Sequence, residues 1–386
     1  MKFLGYKRPD GKVGVRNHVL VMPTCYCATV TAEKIASCVE GAVSFHNQLG
    51  CSQALDDVQY TVDVLVGFAA NPNVYGTVLI GNGCEVCGIA KIAALIKERT
   101  NKPLFMMNIQ DTGGTPGTIQ EGMKCAQALA EEASMLRSEE YDFSHLIMGT
   151  ECGGSDATSG ISANPIIGKV SDRVVAEGGT SILSETTEFM GAEHILASRA
   201  KDEEVARKVL NIVSAYEQHL INANTNVRGA NPAPGNKEGG ITTLAEKSLG
   251  CIHKGGSTPI QEVYAYGHPV DKKGLVIMDT PGADAASVCG MVAGGAQVVI
   301  FSSGRGTPIG NPIAPVIKIT GNPTTFAKMG VNIDYEASGG VTGLQTIAEQ
   351  GQILFDLMCD VVNGKKTKAE LFGNNEIGIP RLCNYV

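Results

Sequence analysis

Short apolar runs that break off at glycine- and cysteine-bearing loops recur along this chain, and this rhythm limits its fold more than any other feature. VLVMPTCYC, VLIGNGCEVCG and LIMGTECGG share the pattern. A run of four or five apolar residues suits a strand buried on both faces, and helical spacing between such runs indicates a parallel sheet covered on both sides. The pattern predicts strands at Val19–Met22, Val43–Phe45, Thr77–Ile80 and Leu104–Met107. Helices are expected over Ala28–Val39, Asp57–Phe68, Ile89–Glu98 and Thr118–Leu136. The acidic stretch Arg137–Asp142 reads as a boundary. A second series follows, with strands near 145–148, 180–183, 274–278, 297–301 and 315–319 and helices near 165–177, 202–221 and 342–362. The expected fold is α/β, two Rossmann-like parallel-sheet units in tandem, with an N-terminal domain over 1–138 and a C-terminal domain over 139–386. The Asn-, Pro- and Gly-rich segment Asn222–Gly240 is long for a plain connection and reads as a functional loop.

Composition removes several function classes. The net charge is −8 with scattered basic residues, which argues against a nucleic-acid surface. No apolar run approaches the ~18 residues of a membrane span, and the start MKFLGYKRPDGKVGVRN lacks the apolar core of an export signal. A cytoplasmic location is therefore expected, and the 12 cysteines are expected to be reduced thiols: packing residues, metal ligands or redox groups.

Cys25 and Cys27, Cys84 and Cys87, and Cys152 all follow predicted strands, and Cys51 lies on a loop with His46. In open parallel sheets the loops at the carboxyl ends of strands build the binding crevice, so these thiols are candidates for one site. Cys84-Glu-Val-Cys87 could be a redox pair, half of a zinc knuckle for which the sequence offers no second CxxC, or chance. Gly304-Arg305-Gly306 is a candidate carboxylate site, because arginine offers a bidentate fork and glycine permits close approach. His194 follows Glu185 and Glu188 and could act as an acid or base. His253 lies beside Cys251 and Lys254.

Several long motifs carry a family likeness: GYKRPDGKVGVRN (5–17), TECGGSDATSGISANP (150–165), GAEHIL (191–196), NPAPGNKEGGITTLAEKSLGC (231–251) and the stretch from MDTPGADAAS to IKITGN (278–322). In these, over essentially its whole length, the chain resembles the altronate/galactarate dehydratase family, which includes the large subunit of sulfolactate sulfo-lyase. The resemblance implies a lyase that eliminates water from a hydroxy (sugar) acid to give a 2-keto-3-deoxy acid. The alternatives are release of sulfite from sulfolactate and, from another class, thiol-redox chemistry at the CxxC. It also implies iron(II), with an iron–sulfur cluster as the alternative and manganese or zinc behind both. Family members carry an additional small SAF-type domain, so a separate small SAF-domain subunit and an oligomeric assembly are expected partners. Carried over position by position, the resemblance marks Cys27, His46, Cys51, Cys84 and Cys152 as metal-site candidates. His194, Glu185 and Lys254 are candidate bases. Arg305, supported by Arg16 and Lys237, would anchor a carboxylate, and Asn17, Ser155, Asp156 and Asn164 would read hydroxyls.

Overall fold

The computed structural model describes residues 1–384. Among the described residues fourteen strands form three sheets: β1 (Lys2–Lys7), β2 (Val13–Gly14), β3 (His18–Pro23), β4 (Ala42–Val43), β5 (Val74–Gly81), β6 (Leu104–Asn108), β7 (Glu139–Asp142), β8 (Ile147–Cys152), β9 (Thr180–Leu183), β10 (Ile260–Tyr264), β11 (Gly274–Met278), β12 (Val298–Ser302), β13 (Val316–Thr320) and β14 (Tyr335–Glu336). A 4-stranded sheet has the order β4-β3-β5-β6, and a 7-stranded sheet the order β10-β11-β9-β8-β12-β13-β14. Every pairing in both is parallel. The expected α/β architecture with two parallel sheets is the observed one.

The local reasons are visible in the strands. Residues 19–23 of β3 and 148–152 of β8 are buried throughout, as a strand covered on both faces requires. Helices 29–37, 55–70, 89–99 and 114–135 connect or flank the first sheet. Helix 164–176 follows β8 and helix 284–293 follows β11. The long helix 203–222 is capped by Asp202, which accepts from the Val205 amide at 2.9 Å.

The two units share a core. Helix 55–70 crosses helix 284–293 so closely that a Cβ on Gly67 would lie 2.5 Å from the Ala293 carbonyl oxygen. Asn71 donates to Val292 O and Ala296 O, and Asn73 donates to Gln297 O and Ile313 O, all at 2.8–2.9 Å. The seam is therefore packed and hydrogen-bonded.

The acidic stretch read as a boundary contains an edge strand. β7 pairs antiparallel with β1, and β1 pairs with β2. Phe3, Val13 and Val15 are buried with Phe143, Leu146 and Ile166, so the first residues of the chain pack into the second unit's core. The segment 222–240 holds two short helices, 227–230 and 234–238. Among the described residues no helix is long and apolar enough to cross a membrane.

In the larger sheet the chain runs from β8 outward to β9, and β12 lies on the other side of β8. The carboxyl end of β8 is thus a topological switch point, where such sheets open a crevice.

Candidate active site

Glu151 and Cys152 end β8 at that switch point and are buried. β9 ends one residue before Ser184, and the turn after it carries Glu185 and Glu188. Glu185 is held at φ 69°, in the left-handed region that a non-glycine residue adopts at a cost. Its amide donates to Thr280 Oγ1 at 2.7 Å, which pins the turn.

A third segment, helix 244–251 and the following turn 252–255, brings Lys247, Cys251 and Lys254 to the same place. It reaches this depth because Gly168 on helix 164–176 has no side chain. A Cβ there would lie 2.2 Å from His253 O. Gly160 and Gly250 also touch, and Gly160 belongs to a π-helical turn over 159–163, a distortion often found at functional sites.

Lys254, 0% exposed, lies between two buried carboxylates. Its Nζ is 3.2 Å from Glu185 Oε2 and 2.7 Å from Glu188 Oε2. Lys247 Nζ lies 3.6 Å from Glu188 Oε1. Burial opposes ionisation of Glu188, yet Lys254 and Lys247 hold its carboxyl below the ordinary value. Burial likewise opposes the Lys254 ammonium, but Glu188 and Glu185 keep it charged, well above the ordinary lysine range. Glu185 is pushed well up by burial and by Glu151 and Glu188. Burial raises Glu151 to about 8. Its Oε2 accepts from Ser287 at 2.6 Å and Ser184 at 3.0 Å, while its Oε1 is buried with no partner.

Cys152 and Cys251 form a thiol pair. The hydrogen bond from Cys251 favours the Cys152 thiolate and lowers its pKa, and the same bond raises Cys251. Ser155 Oγ lies 3.0 Å from Cys152 Sγ. Asn164 Nδ2 points to the same sulfur at 3.8 Å, and its Oδ1 takes a 2.6 Å bond from Ser302. A cavity of about 220 Å³ lined by Ser155, Asn164, Lys247 and Cys251 leads to this pair.

Two sets of three side chains have ligand atoms within 4.8 Å of one another among the described residues: Cys152, Glu188 and Cys251, and Glu151, Glu185 and Asp284. The first set is softer, but two ammonium groups face its carboxylate, whereas one, that of Lys254, faces Glu185 in the second. The second includes the unpartnered Glu151 Oε1, an atom that a cation would satisfy. The carboxylate set therefore fits a divalent ion better.

Of the residues singled out in the sequence, Cys152, Glu185, Lys254, Ser155 and Asn164 meet here. Asp156 is adjacent, but its carboxylate caps its own loop through Thr158 N and Ser159 N and takes a 2.8 Å bond from Asn322. Arg305 is half exposed and pairs with Glu238 at 3.2 Å, and Lys237 and His194 are exposed. Arg16 is buried elsewhere, bonded to Glu370 at 2.7 Å and to Val361 O at 2.9 Å. Asn17 bridges Arg8 and Ala133 O. Cys27, Cys51 and Cys84 lie on loops after β3, β4 and β5, on the other sheet, and His46 faces Glu33 at 3.3 Å. None of these four belongs to either close set of ligand atoms. In the CxxC, burial pushes Cys87 up to about 11, the opposite of an activated redox thiol.

Glu188, Cys251, Lys247, Glu151 and Asp284 were not chosen as site residues from sequence. The signal for Cys251 was its place in GCIHK, beside Lys254; Glu188 lay three residues beyond Glu185.

Residues 143–384 match the family described as D-galactarate/altronate dehydratase, C-terminal, and residues 5–134 match the second domain of D-galactarate dehydratase/altronate hydrolase. The chain is 34% identical to an altronate dehydratase of Escherichia coli, over 97% of this chain and 76% of the relative. It is 34% identical to a (2R)-sulfolactate sulfo-lyase subunit beta of Chromohalobacter salexigens, over 98% of this chain and 97% of the relative. A galactarate dehydratase (L-threo-forming) of Escherichia coli is 33% identical, over 94% of this chain and 73% of the relative.

Proposed function

Since the chain belongs to the D-galactarate/altronate dehydratase family, we propose that it is the catalytic subunit of a lyase that removes water from a hydroxy acid of the altronate or galactarate type, leaving a 2-keto-3-deoxy acid. The observation that carries this reading is Lys254, fully buried and hydrogen-bonded to Glu188 and Glu185 at the carboxyl end of the larger sheet.

Elimination needs a base for the α-proton and an acid for the departing hydroxyl. Glu188, held ionised by its lysines, takes the proton from carbon. Lys254, held as an ammonium, gives one to the hydroxyl, which leaves as water. Transfer of the acquired proton from Glu188 to Lys254, across their 2.7 Å contact, restores both groups. Lys247, on the cavity wall, anchors the substrate carboxylate, and Ser155 and Asn164 bond its hydroxyls. An iron(II) ion would be held by Glu151, Glu185 and Asp284, and when bound it supplies Lewis-acid polarisation of the carboxylate and hydroxyl. The reading includes a separate small subunit and an oligomeric assembly, supported by the relative that is named as a subunit.

A second reading, sulfite release from sulfolactate, is favoured by the match to the sulfo-lyase subunit over 97% of its length. One assay separates them. Purified anaerobically with iron, the protein should turn altronate or galactarate into a 2-keto acid. Sulfite from sulfolactate with inert sugar acids would overturn the dehydratase reading. Iron content tests the metal assignment: Asp284→Asn should lose most of the bound iron and Cys152→Ser should keep it. The reverse pattern would move the ion to the thiol set.

A further inference from the structure

The three carboxylates of the candidate metal set come from three separate segments: Glu151 from the end of β8, Glu185 from the turn after β9 and Asp284 from the start of helix 284–293. Two hydroxyls that the elimination leaves unused lie between these segments. Thr280, 1% exposed, follows β11. Ser287, 0% exposed, comes three residues after Asp284 and so shares its face of the helix.

Among the described residues each of these hydroxyls has two partners. Thr280 Oγ1 accepts from the Glu185 amide at 2.7 Å and lies 2.9 Å from Ser287 Oγ. Ser287 Oγ lies 2.6 Å from Glu151 Oε2. The direction of this bridge is fixed at one end. A backbone amide only donates, so the Thr280 proton is left with Ser287 Oγ as its acceptor. Ser287 must then direct its own proton to Glu151 Oε2. Ser184 is the weaker donor to that oxygen, since its single proton also faces Thr150 O, at 2.8 Å against 3.0 Å for Glu151. The carbonyl of Thr280 accepts from Thr186 N at 3.0 Å, so Thr280 grips the Glu185 turn on both sides of its left-handed residue. With Oε2 engaged in this way, Oε1 is the Glu151 oxygen left without a protein partner.

We propose that Thr280 and Ser287 are positioning residues for the carboxylate set, holding Glu151 and the Glu185 turn against helix 284–293 at the spacing a divalent ion needs. This role rests on the reading that places the ion at Glu151, Glu185 and Asp284. Groups that hydrogen-bond a ligating carboxylate orient it, and the ion is held less tightly when they are removed. A bridge that only filled space would need the volumes of the two side chains but not their hydroxyls. Thr280→Val keeps the volume and removes the hydroxyl, whereas Thr280→Ser keeps the hydroxyl.

The test titrates cobalt(II) into the full chain, purified anaerobically and stripped of metal, with calorimetry and visible absorption as readouts. Thr280→Val and Ser287→Ala should each weaken cobalt binding by about 10–100-fold, and Thr280→Ser should stay within about threefold of the natural protein. Thermal unfolding of the metal-free variants shows that each is folded at the titration temperature. Should Thr280→Val not fold, Ser287→Ala, which only shortens a side chain, carries the comparison. Unchanged cobalt binding in Thr280→Val and Ser287→Ala would overturn the positioning role and leave the ion's place standing. A loss in Thr280→Ser as large as in Thr280→Val would also overturn it, because packing and not the hydroxyl would then matter. No cobalt bound by the natural protein, or thiolate-to-cobalt charge-transfer absorption that Cys152→Ser removes, would overturn the placement of the ion and the positioning role with it.

Discussion

Replacing Lys254 with methionine tests the electrostatics on which the candidate site rests. The ammonium sits 2.7 Å from Glu188 and 3.2 Å from Glu185, with all three groups buried. At an effective dielectric near 20, the contact with the ionised Glu188 is worth roughly 6 kcal/mol of gross attraction. Desolvation of the ammonium offsets much of that. Removing one partner of a buried ion pair then costs about 3–5 kcal/mol, because the remaining charge is left uncompensated. Methionine matches the length of the chain's carbon stem and leaves the carboxylates facing each other. The pKa of Glu188 must then rise above that of the unfolded chain, as that of Glu185 already does in the natural protein. Between the unfolded and the raised folded values the folded state binds more protons, so stability falls as pH increases. The loss relative to the natural protein should therefore be small near pH 4.5 and approach the full ~3–5 kcal/mol by pH 8. Urea unfolding of chelator-treated protein, followed by far-UV circular dichroism because the chain has no tryptophan, measures it. Adding Glu188→Gln should return part of the loss at pH 8. A loss below about 1 kcal/mol at pH 8, or the same loss at both pH values, would refute the reasoning.

Other perturbations probe separate claims. Glu188→Gln should lower kcat by about 10²–10⁴-fold while the protein stays folded, as steady-state kinetics with an altronate-type substrate would show. Gly67→Ala should destabilise the seam between the units by about 1–3 kcal/mol in chemical denaturation, because its Cβ would meet the Ala293 carbonyl at 2.5 Å. Arg16→Met should cost about 3–5 kcal/mol of stability without changing KM, since its guanidinium is spent on Glu370 and on backbone carbonyls far from the site. His194→Ala should leave kcat within about twofold, because the ring is exposed and lies outside the buried cluster.

The regular alternation of apolar runs and amphipathic stretches determined the order of the main strands and helices, because burial on two faces or one imposes its period locally. It also placed Cys152 on a strand-end loop and drew attention to Glu185 and Lys254. Short edge elements were less legible. β7 is an acidic, mostly exposed stretch that becomes a strand only because β1 lies beside it. Sequence position likewise could not say which thiols meet. Cys27, Cys51, Cys84 and Cys152 read alike in sequence, yet the first three lie on segments after strands of one sheet and the last ends a strand of another. Cys152 instead meets Cys251 and Glu188, which come from segments far along the chain. That meeting depends on Gly168 and Gly160 letting the segment around His253 and Gly250 sink against helix 164–176 and the turn before it. The chemistry of each loop was local and readable; the apposition of loops was decided by packing between segments whose contacts no local pattern encodes.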